Sequence, residues 1–216
     1  MREKRIVCFG DSNTWGCEPG TGARYGEDIR WPALMGRLLG EGYLVVEEGQ
    51  CGRSIAIQDV WEGGTKSGMD YILPMIESHL PLDLLIIMLG TNDIKRRFGL
   101  SAREISGSME TMLCRALGLM RMRMDAKETK VLLVSPILLG SDILQSELSG
   151  FLYDEFSVEQ SRELAYWYKF VADKYGCAFF DAATAAEPGS VDRLHMDESG
   201  HRKLAAAMAD RVRELL

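Results

Sequence analysis

The amino-acid sequence predicts an α/β fold, in which helices cover both sides of a parallel sheet as a three-layer sandwich. Three observations lead to this prediction. Short apolar runs rich in branched residues recur along the chain, segments with helical periodicity lie between them, and the two kinds of segment alternate. Such alternation is typical of parallel sheets whose strands are joined by right-handed helical crossovers.

Five apolar runs predict five strands. Each run is continuously apolar, which suits a strand that is buried on both faces of a sheet. The runs are also short, as strands in such sheets are. The predicted strands are residues 5–9, 43–47, 84–89, 131–135 and 178–180.

Helices are predicted between these strands, because apolar residues recur there with helical spacing. In the first of these segments Leu34, Leu38 and Leu39 lie along one stripe. Asp197 is a candidate N-cap for the last helix, since a short polar side chain there can bind the free N–H groups of the first turn. The predicted helices are residues 31–39, 72–80, 102–124, 159–175 and 198–216.

Two segments fit neither pattern. Residues 16–29 hold four glycines around Pro19, and we interpret them as a long loop. Residues 136–158 are apolar but irregular, and they include Phe151 and Phe156. Long loops in compact domains are often functional or make interfaces. The second segment is therefore either an exposed insertion or a contact surface that makes the protein a homo-oligomer.

The composition bounds the class of protein. The chain has 216 residues, of which 46% are apolar and 26% charged, and this excludes a disordered or collagen-like chain. We expect a single domain over residues 1–216, because no linker-like stretch divides the sequence. The formal net charge of −7 argues against nucleic acid or an anionic membrane as a partner, since both require a basic surface.

Five cysteines are scattered along the chain without a C-x-x-C pair. The sequence therefore predicts neither a zinc site nor a redox motif, and we expect reduced thiols in a cytoplasmic protein. The apolar run near the start is too short for a signal peptide, and no segment is long enough to span a bilayer. Hence no membrane partner is expected.

Polar clusters follow the predicted strands at the edge where parallel α/β sheets bind ligands. Gly10-Asp11-Ser12-Asn13 follows the first strand, Gly49-Gln50-Cys51-Gly52 the second and Gly90-Thr91-Asn92-Asp93 the third. Asp192-Arg193-Leu194-His195 lies in the last loop. Each cluster alone is compatible with an ordinary turn, but their combination and order favour a functional site.

The clusters contain the groups that acyl transfer requires. A serine hydroxyl needs a base to take its proton, and a histidine oriented by a carboxylate can do this near neutral pH. Ser12, His195 and Asp192 can supply these three groups. The backbone N–H groups of Ser12 and Gly52 and the amide of Asn92 can then stabilise the oxyanion.

These blocks resemble those of the SGNH (GDSL-type) hydrolases, and the resemblance extends from residue 6 to residue 201. Residues 5–15, 47–49 and 82–93 are especially similar to the arylesterase and acyltransferase/perhydrolase branch. In one position the chain departs from the pattern: Glu48 stands where many members have asparagine.

The resemblance implies a flavodoxin-like five-stranded sheet and a metal-free serine esterase that needs no cofactor. It implies that Ser12 is the nucleophile, His195 the base and acid, and Asp192 its orienting partner. Gly52 and Asn92 would join Ser12 in the oxyanion hole. The branch further implies small-molecule esters with short acyl chains, a tight oligomer, and acyl transfer to alcohols or peroxide beside hydrolysis.

Pocket walls are predicted only from proximity in sequence. Asn13, Trp15 and Cys17 flank the nucleophile, Lys95 follows the third block, and Leu194 precedes the base. Each is a candidate substrate-binding residue. Each is also compatible with a place in the core or on the surface, and for Trp15 packing is favoured.

A flavodoxin-like protein that binds a flavin or nucleotide is the alternative. The hydroxyl-rich residues 11–16 follow the first strand, where a phosphate would bind. Such a site does not require Asp192 or His195, and this favours the hydrolase. The spacing of glycines does not fit a dinucleotide fingerprint, and the G-x-S-x-G elbow of α/β-hydrolases is absent.

A metal site is not expected. His195 and His201 are six residues apart, so they would not share one face of a helix. We interpret His201 and His79 as solvent-exposed or helix-capping residues.

Overall fold

The computed structural model describes residues 2–216 and contains five strands in one parallel sheet. Their order across the sheet is β2-β1-β3-β4-β5. The fold class predicted from the sequence is therefore confirmed, as is the number of strands. The strands are β1 (Lys4–Gly10), β2 (Tyr43–Gly49), β3 (Leu84–Met88), β4 (Lys130–Ser135) and β5 (Ala178–Asp181).

Six α-helices connect and cover the strands. All five predicted helices are present, the first with the predicted ends and the other four with shifted ends, and a one-turn helix after β1 was not predicted. The helices are α1 (Ser12–Trp15), α2 (Trp31–Leu39), α3 (Gly68–Ser78), α4 (Ala102–Met122), α5 (Glu155–Tyr175) and α6 (Glu198–Leu215). Short 3₁₀ helices occupy Val60–Glu62, Ile143–Gln145, Gly150–Leu152 and Ala182–Thr184.

The two faces of the sheet are both buried, which explains why the strands read as continuous apolar runs. Side chains alternate between faces along a strand. In β1, Val7 and Phe9 pack into a core cluster with residues of α3, α4 and α5. Ile6 and Cys8 point to the other face and pack with residues of α2 and α6.

Helix caps explain where the predicted helix ends differ from the observed ones. The predicted helix 159–175 begins earlier, at Glu155, because the Asp154 carboxylate accepts a hydrogen bond of 2.9 Å from the Ser157 N–H. This capping turn carries little apolar periodicity, so the sequence pattern misses it. The prediction of Asp197 as N-cap of α6 is confirmed, since its carboxylate accepts from the Gly200 N–H over 2.9 Å.

The two irregular segments differ in structure. Residues 16–29 form the predicted loop, which a backbone bridge between Cys17 and Arg24 closes on itself. Residues 136–158 contain two of the 3₁₀ helices and the start of α5, so the segment is more ordered than a simple loop. No helix within residues 2–216 combines the length and apolarity needed to cross a membrane.

The carboxyl ends of three strands are aligned at one edge of the sheet. Gly10 at the end of β1 pairs with Gly49 of β2 on one side and with Met88 of β3 on the other. The loops that follow these strands therefore begin side by side. This register brings the first three polar clusters of the sequence to one place.

Candidate active site

The loop after β1 places Ser12 at the start of the one-turn helix α1. The Asp11 carboxylate caps this helix by accepting a hydrogen bond of 3.0 Å from the Asn13 N–H. Gly10 permits the tight turn, because a Cβ there would lie 2.0 Å from Thr14 Oγ1 and 2.9 Å from the Met88 carbonyl oxygen. Ser12 is 9% exposed, so its hydroxyl reaches the surface through a narrow opening.

The structure brings Ser12, His195 and Asp192 into one hydrogen-bonded row. Ser12 Oγ lies 2.9 Å from His195 Nε2, and His195 Nδ1 lies 2.7 Å from Asp192 Oδ2. The first two residues are 183 positions apart in the chain. With a neutral imidazole that donates from Nδ1, Nε2 is free to accept the serine proton.

A tight turn aligns the carboxylate with the imidazole. Asp192 Oδ1 accepts hydrogen bonds from the backbone N–H groups of Leu194 (3.0 Å) and His195 (2.9 Å). Arg193, which follows Asp192 in this turn, has a φ of 62°, in the left-handed region that the turn requires. Burial tends to raise the pKa of Asp192, but these bonds and the His195 ring lower it overall below its ordinary value. The carboxylate therefore stays charged, as a partner of an imidazolium must.

Asn13 connects the two loops that carry Ser12 and His195. Its Oδ1 accepts a hydrogen bond of 3.0 Å from the Met196 N–H, and its Nδ2 donates to the Leu194 carbonyl over 3.4 Å. The prediction of Asn13 as a pocket wall is wrong, because the side chain is buried and both of its polar atoms face backbone. It is placed to hold the imidazole loop against the serine loop.

Three N–H donors lie around the same cavity as the serine. Gly52 has a φ of 77°, and no acceptor within residues 2–216 binds its N–H or that of Ser12. The Asn92 amide donates one hydrogen to the Arg53 carbonyl oxygen over 3.0 Å, which fixes its orientation and leaves a second hydrogen. Such preorganised donors can stabilise an oxyanion.

Arg53 holds this arrangement together, although no sequence pattern pointed to it. Its guanidinium is buried against the Phe9 ring at 4.2 Å and donates to the carbonyl oxygens of Gly10 (2.9 Å) and Glu48. With its own carbonyl on Asn92, one residue contacts the ends of β1 and β2 and the loop after β3.

Glu48, where the chain departs from the family pattern, does not disturb the loop of Gly52. Its carboxylate lies 2.7 Å from Nε2 of His79, which caps the end of α3. Its carbonyl oxygen still accepts from Arg53. The Glu48 side chain therefore points away from the oxyanion donors, and its backbone carbonyl makes the contact with Arg53.

Ser12 lines a cavity of about 130 Å³. Of the predicted wall residues, Cys17, Lys95 and Leu194 line it. Trp15 does not, because its ring packs 5.4 Å from the Arg24 guanidinium instead. The full lining is Ser12, Cys17, Cys51, Gly52, Glu62, Thr91, Asn92, Lys95, Leu152, Leu194 and His195.

Two thiols, those of Cys17 and Cys51, line the cavity. The nearby Cys51 thiol and burial raise the pKa of Cys17, and the nearby Cys17 thiol lowers the pKa of Cys51. Cys51 was not predicted as a wall residue, because a lone cysteine carries no signal for its neighbours in space.

Two carboxyl groups are buried beneath the cavity. Burial raises the pKa of Asp11 to about 6 and that of Asp93 to about 7. Both oxygens of Asp93 accept from the Ile55 N–H, at 3.0 and 3.1 Å, and this ties the loop after β2 to the loop after β3. These two groups position the loops and do not line the cavity.

His201 is not exposed, so the interpretation of it as a solvent-exposed residue is wrong, although its ring does accept a hydrogen bond from the first N–H of helix α2. The side chain is 0% exposed, packs edge-on against Tyr25 at 5.5 Å, and accepts a hydrogen bond of 3.3 Å from the Trp31 N–H at Nδ1. Burial lowers its pKa to about 4. Within residues 2–216, no group of three or more His, Cys, Asp or Glu side chains is placed to hold a metal ion.

A five-stranded parallel sheet with a hydroxyl, an imidazole and a carboxylate in a row at its carboxyl edge is the arrangement of a hydrolase. Residues 8–203 match the GDSL-like lipase/acylhydrolase family, so the chain belongs to this family, and it is a carboxylic-ester hydrolase. This sets aside the flavin- or nucleotide-binding alternative. Among curated protein sequences, none matches the chain significantly.

Solved structures similar to this chain agree with the family. The aryl esterase of M. smegmatis is 36% identical, with 99% of this chain and 100% of that one aligned at a TM-score of 0.89. Est24, a carbohydrate acetylesterase from Sinorhizobium meliloti, is 33% identical with the same coverage and a TM-score of 0.90. A lipase/acylhydrolase from Enterococcus faecalis, at 19% identity, 98% and 96% coverage and a TM-score of 0.68, shares the fold.

Proposed function

We propose that the protein is a serine esterase that cleaves short-chain aryl or acetyl esters through an acyl-enzyme on Ser12. The observation that carries this proposal is the row of contacts from Ser12 Oγ to His195 Nε2 (2.9 Å) and from His195 Nδ1 to Asp192 Oδ2 (2.7 Å). These are the distances at which a base can take a hydroxyl proton and a carboxylate can orient the base.

In the first half of the reaction, Ser12 Oγ attacks the ester carbonyl carbon while its proton passes to His195 Nε2. The carbonyl oxygen becomes an oxyanion, which the N–H groups of Ser12 and Gly52 and the Asn92 amide bind. The intermediate then collapses: the bond to the leaving oxygen breaks, and that oxygen takes the proton from His195. Asp192 stabilises the imidazolium that exists between these two transfers.

In the second half, an acceptor attacks the acyl-enzyme and gives its proton to His195. Collapse of the second intermediate returns that proton to Ser12 and releases the acid. With water the outcome is hydrolysis. An alcohol or a peroxide in the same position would give a new ester or a peracid. We include acyl transfer to these acceptors in the proposal as a second activity of the same acyl-enzyme.

The size of the cavity supports a short acyl chain. Pockets for drug-sized ligands span roughly 300–1,000 Å³, whereas the space beside Ser12 is about 130 Å³. The activity named for one similar structure, a carbohydrate acetylesterase, also favours a small acyl group.

A panel of p-nitrophenyl esters from acetate to octanoate tests the proposal. We expect kcat/KM to be highest for acetate and to fall steeply as the chain lengthens. A fluorophosphonate should add once per chain, at Ser12, as shown by peptide mass spectrometry. Labelling at another serine, or equal labelling of Ser12→Ala, would contradict the assignment. Adding ethanol or peroxide at a fixed water activity then shows whether ester or peracid replaces free acid.

We further propose that copies of the chain associate through residues 140–158. The support is that this segment leaves large apolar side chains exposed, among them Leu148 and Phe151. Light scattering should then give a multiple of 24.1 kDa. A monomer mass would refute it, and Phe151→Ser should lower the mass if the segment is the interface.

A further inference from the structure

A carboxylate stands beside the donors of the cavity. Glu62 ends the 3₁₀ helix Val60–Glu62 and lines the cavity together with Gly52. A Cβ on Gly52 would lie 2.7 Å from Glu62 Oε2, so the carboxylate packs directly on the glycine whose N–H faces the substrate carbonyl.

One oxygen of Glu62 is held and the other is not. Lys95 Nζ donates to Oε1 over 2.7 Å, and Arg97 lies 3.4 Å from the same oxygen. Lys95 is only 2% exposed, so it holds one carboxylate oxygen from the protein side, while the Glu62 side chain is 31% exposed toward the cavity and solvent. Oε2 accepts no hydrogen bond from residues 2–216, so it can accept one from a bound ligand.

The charge of Glu62 is balanced before any substrate enters. The buried Asp59 also accepts from Lys95 (3.2 Å) and from Arg97, so two carboxylates face two cations in one cluster. A carboxylate this close to a developing oxyanion would otherwise oppose it. Because the cluster sums to zero, Glu62 can act as a hydrogen-bond acceptor without a large penalty to the reaction.

Glu62 lies on the acyl side of the cavity. Its carboxylate packs on Gly52 and binds Lys95 and Arg97, whereas the hydrogen bonds of the His195 ring go to Asp192 and Ser12. The leaving oxygen must face His195 to take its proton, so a substituent that reaches Gly52 and Glu62 belongs to the acyl part.

We propose that Glu62 selects short acyl groups that carry a hydroxyl one or two carbons from the ester carbonyl, such as glycoloyl and 3-hydroxypropanoyl. The hydroxyl would donate to Oε2, a hydrogen bond to a charged acceptor. An acyl group that ends in a carboxylate has no proton to donate to Oε2, so the same oxygen disfavours it. This inference rests on the proposed function, since it uses the position of His195 to assign the acyl side.

Isosteric pairs of ethyl esters, followed by pH-stat titration, test the proposal. Ethyl glycolate and ethyl propionate differ by hydroxyl against methyl. Monoethyl malonate and ethyl 3-methylbutanoate differ by carboxylate against isopropyl. Each kcat/KM ratio is measured in wild type, Glu62→Ala, Glu62→Gln and the control Glu48→Gln, whose carboxylate contacts His79 instead. Comparing one ratio across variants cancels the intrinsic reactivity of the esters.

We expect the glycolate-to-propionate ratio to fall about tenfold or more in Glu62→Ala, the usual effect of one hydrogen bond to a charged group. The malonate ratio should rise in both Glu62 variants, and Glu48→Gln should match wild type. Thermal unfolding identifies any variant that fails to fold, and Glu62→Gln keeps the side-chain volume.

Ratios that do not change would overturn the selection by Glu62. A uniform change across all esters would do so too, because Glu62 would then act only through Lys95. Failure of the proposed function has a different signature: ester cleavage that persists undiminished in Ser12→Ala. That result would remove this inference as well, since no acyl-enzyme would exist.

Discussion

His195 and His201 lie six residues apart and occupy opposite environments. His195 is partly exposed, and both ring nitrogens face polar groups, one of them Ser12 from the far end of the chain. His201 is enclosed, with Trp31 on one nitrogen and no hydrogen bond from residues 2–216 on the other. The partners brought by distant segments, and not the residue type, decide which imidazole can move a proton.

The two environments separate activity from stability. Around His195 the contacts hold groups that must react, and around His201 they join helix α6 to the start of helix α2. Substitutions in the first region should reduce turnover with little change in unfolding. Substitutions around His201 should lower the free energy of unfolding with little change in turnover. The following predictions test this division, beginning with the largest effect.

Removal of the reacting groups should abolish turnover. Ser12→Ala and His195→Ala should each lower kcat by roughly 10⁴-fold or more, and the double variant should be little worse than either, because the two groups act as one unit. Steady-state kinetics on p-nitrophenyl acetate gives these values. His201→Gln is the matched control: a comparable loss of kcat in folded His201→Gln would break the division between the two regions.

Loss of one oxyanion donor should have the next largest effect. Asn92→Ala removes the side-chain amide and should lower kcat by about 10²–10³-fold with little change in KM, since the donor acts on the transition state. Burst kinetics with the same substrate measures acylation separately. An unchanged acylation rate would mean that Asn92 only positions Arg53.

Acid should weaken the fold through His201. Its pKa is about 4 in the folded protein against 6.5 when unfolded, so the unfolded chain binds more protons between these values. Stability is therefore retained above pH 6.5 and lost as pH falls toward 4, by roughly 3 kcal/mol. Asp11 and Asp93, whose raised pKa values act in the opposite direction, cancel when wild type is compared with His201→Gln.

Urea unfolding of both proteins from pH 7.5 to pH 4 measures this difference. We expect the free energies of unfolding to converge as pH falls, because only wild type carries the buried imidazole. Parallel curves would show that His201 is not protonated on unfolding in this range, and would refute the assigned environment.

Asn13 joins the two regions and should show a smaller, mixed effect. Asn13→Ala leaves the buried Met196 N–H without its acceptor, which costs roughly 1–3 kcal/mol of stability. It also frees the loop of His195, so kcat should fall while the pH profile keeps its shape. Full retention of kcat in this variant would show that the turn of Asp192 alone positions the imidazole.

The sequence was sufficient for the fold and for residues that carry a local signal. Continuous apolar runs predict buried strands, and the polar clusters at their ends predict Ser12, Asn92 and His195, because strand ends in a parallel sheet share one edge. The structure brings these residues together as predicted. Their catalytic function stays a prediction until the substitutions above are made.

The residues that the sequence did not select depend on contacts between distant segments. Arg53 and Glu62 lie in the long connection after β2, where a charged residue is expected to face solvent, and only the positions of Gly10, Asn92 and Lys95 give them a function. Asn13 and Trp15 were assigned to the cavity by proximity in sequence. Adjacent residues on a one-turn helix point in different directions, so proximity was a poor guide.

The position of Arg53 has a consequence for how the protein can evolve. One guanidinium binds the end of β1, which leads to Ser12, and the end of β2, which leads to Gly52. A substitution that moves one of these segments therefore also disturbs the other. Natural variation in substrate specificity should therefore concentrate at the rim of the cavity, around the 3₁₀ helix Val60–Glu62 and the long segments 16–29 and 136–158. Changes of specificity could then accumulate while the chemical machinery stays fixed as one rigid unit.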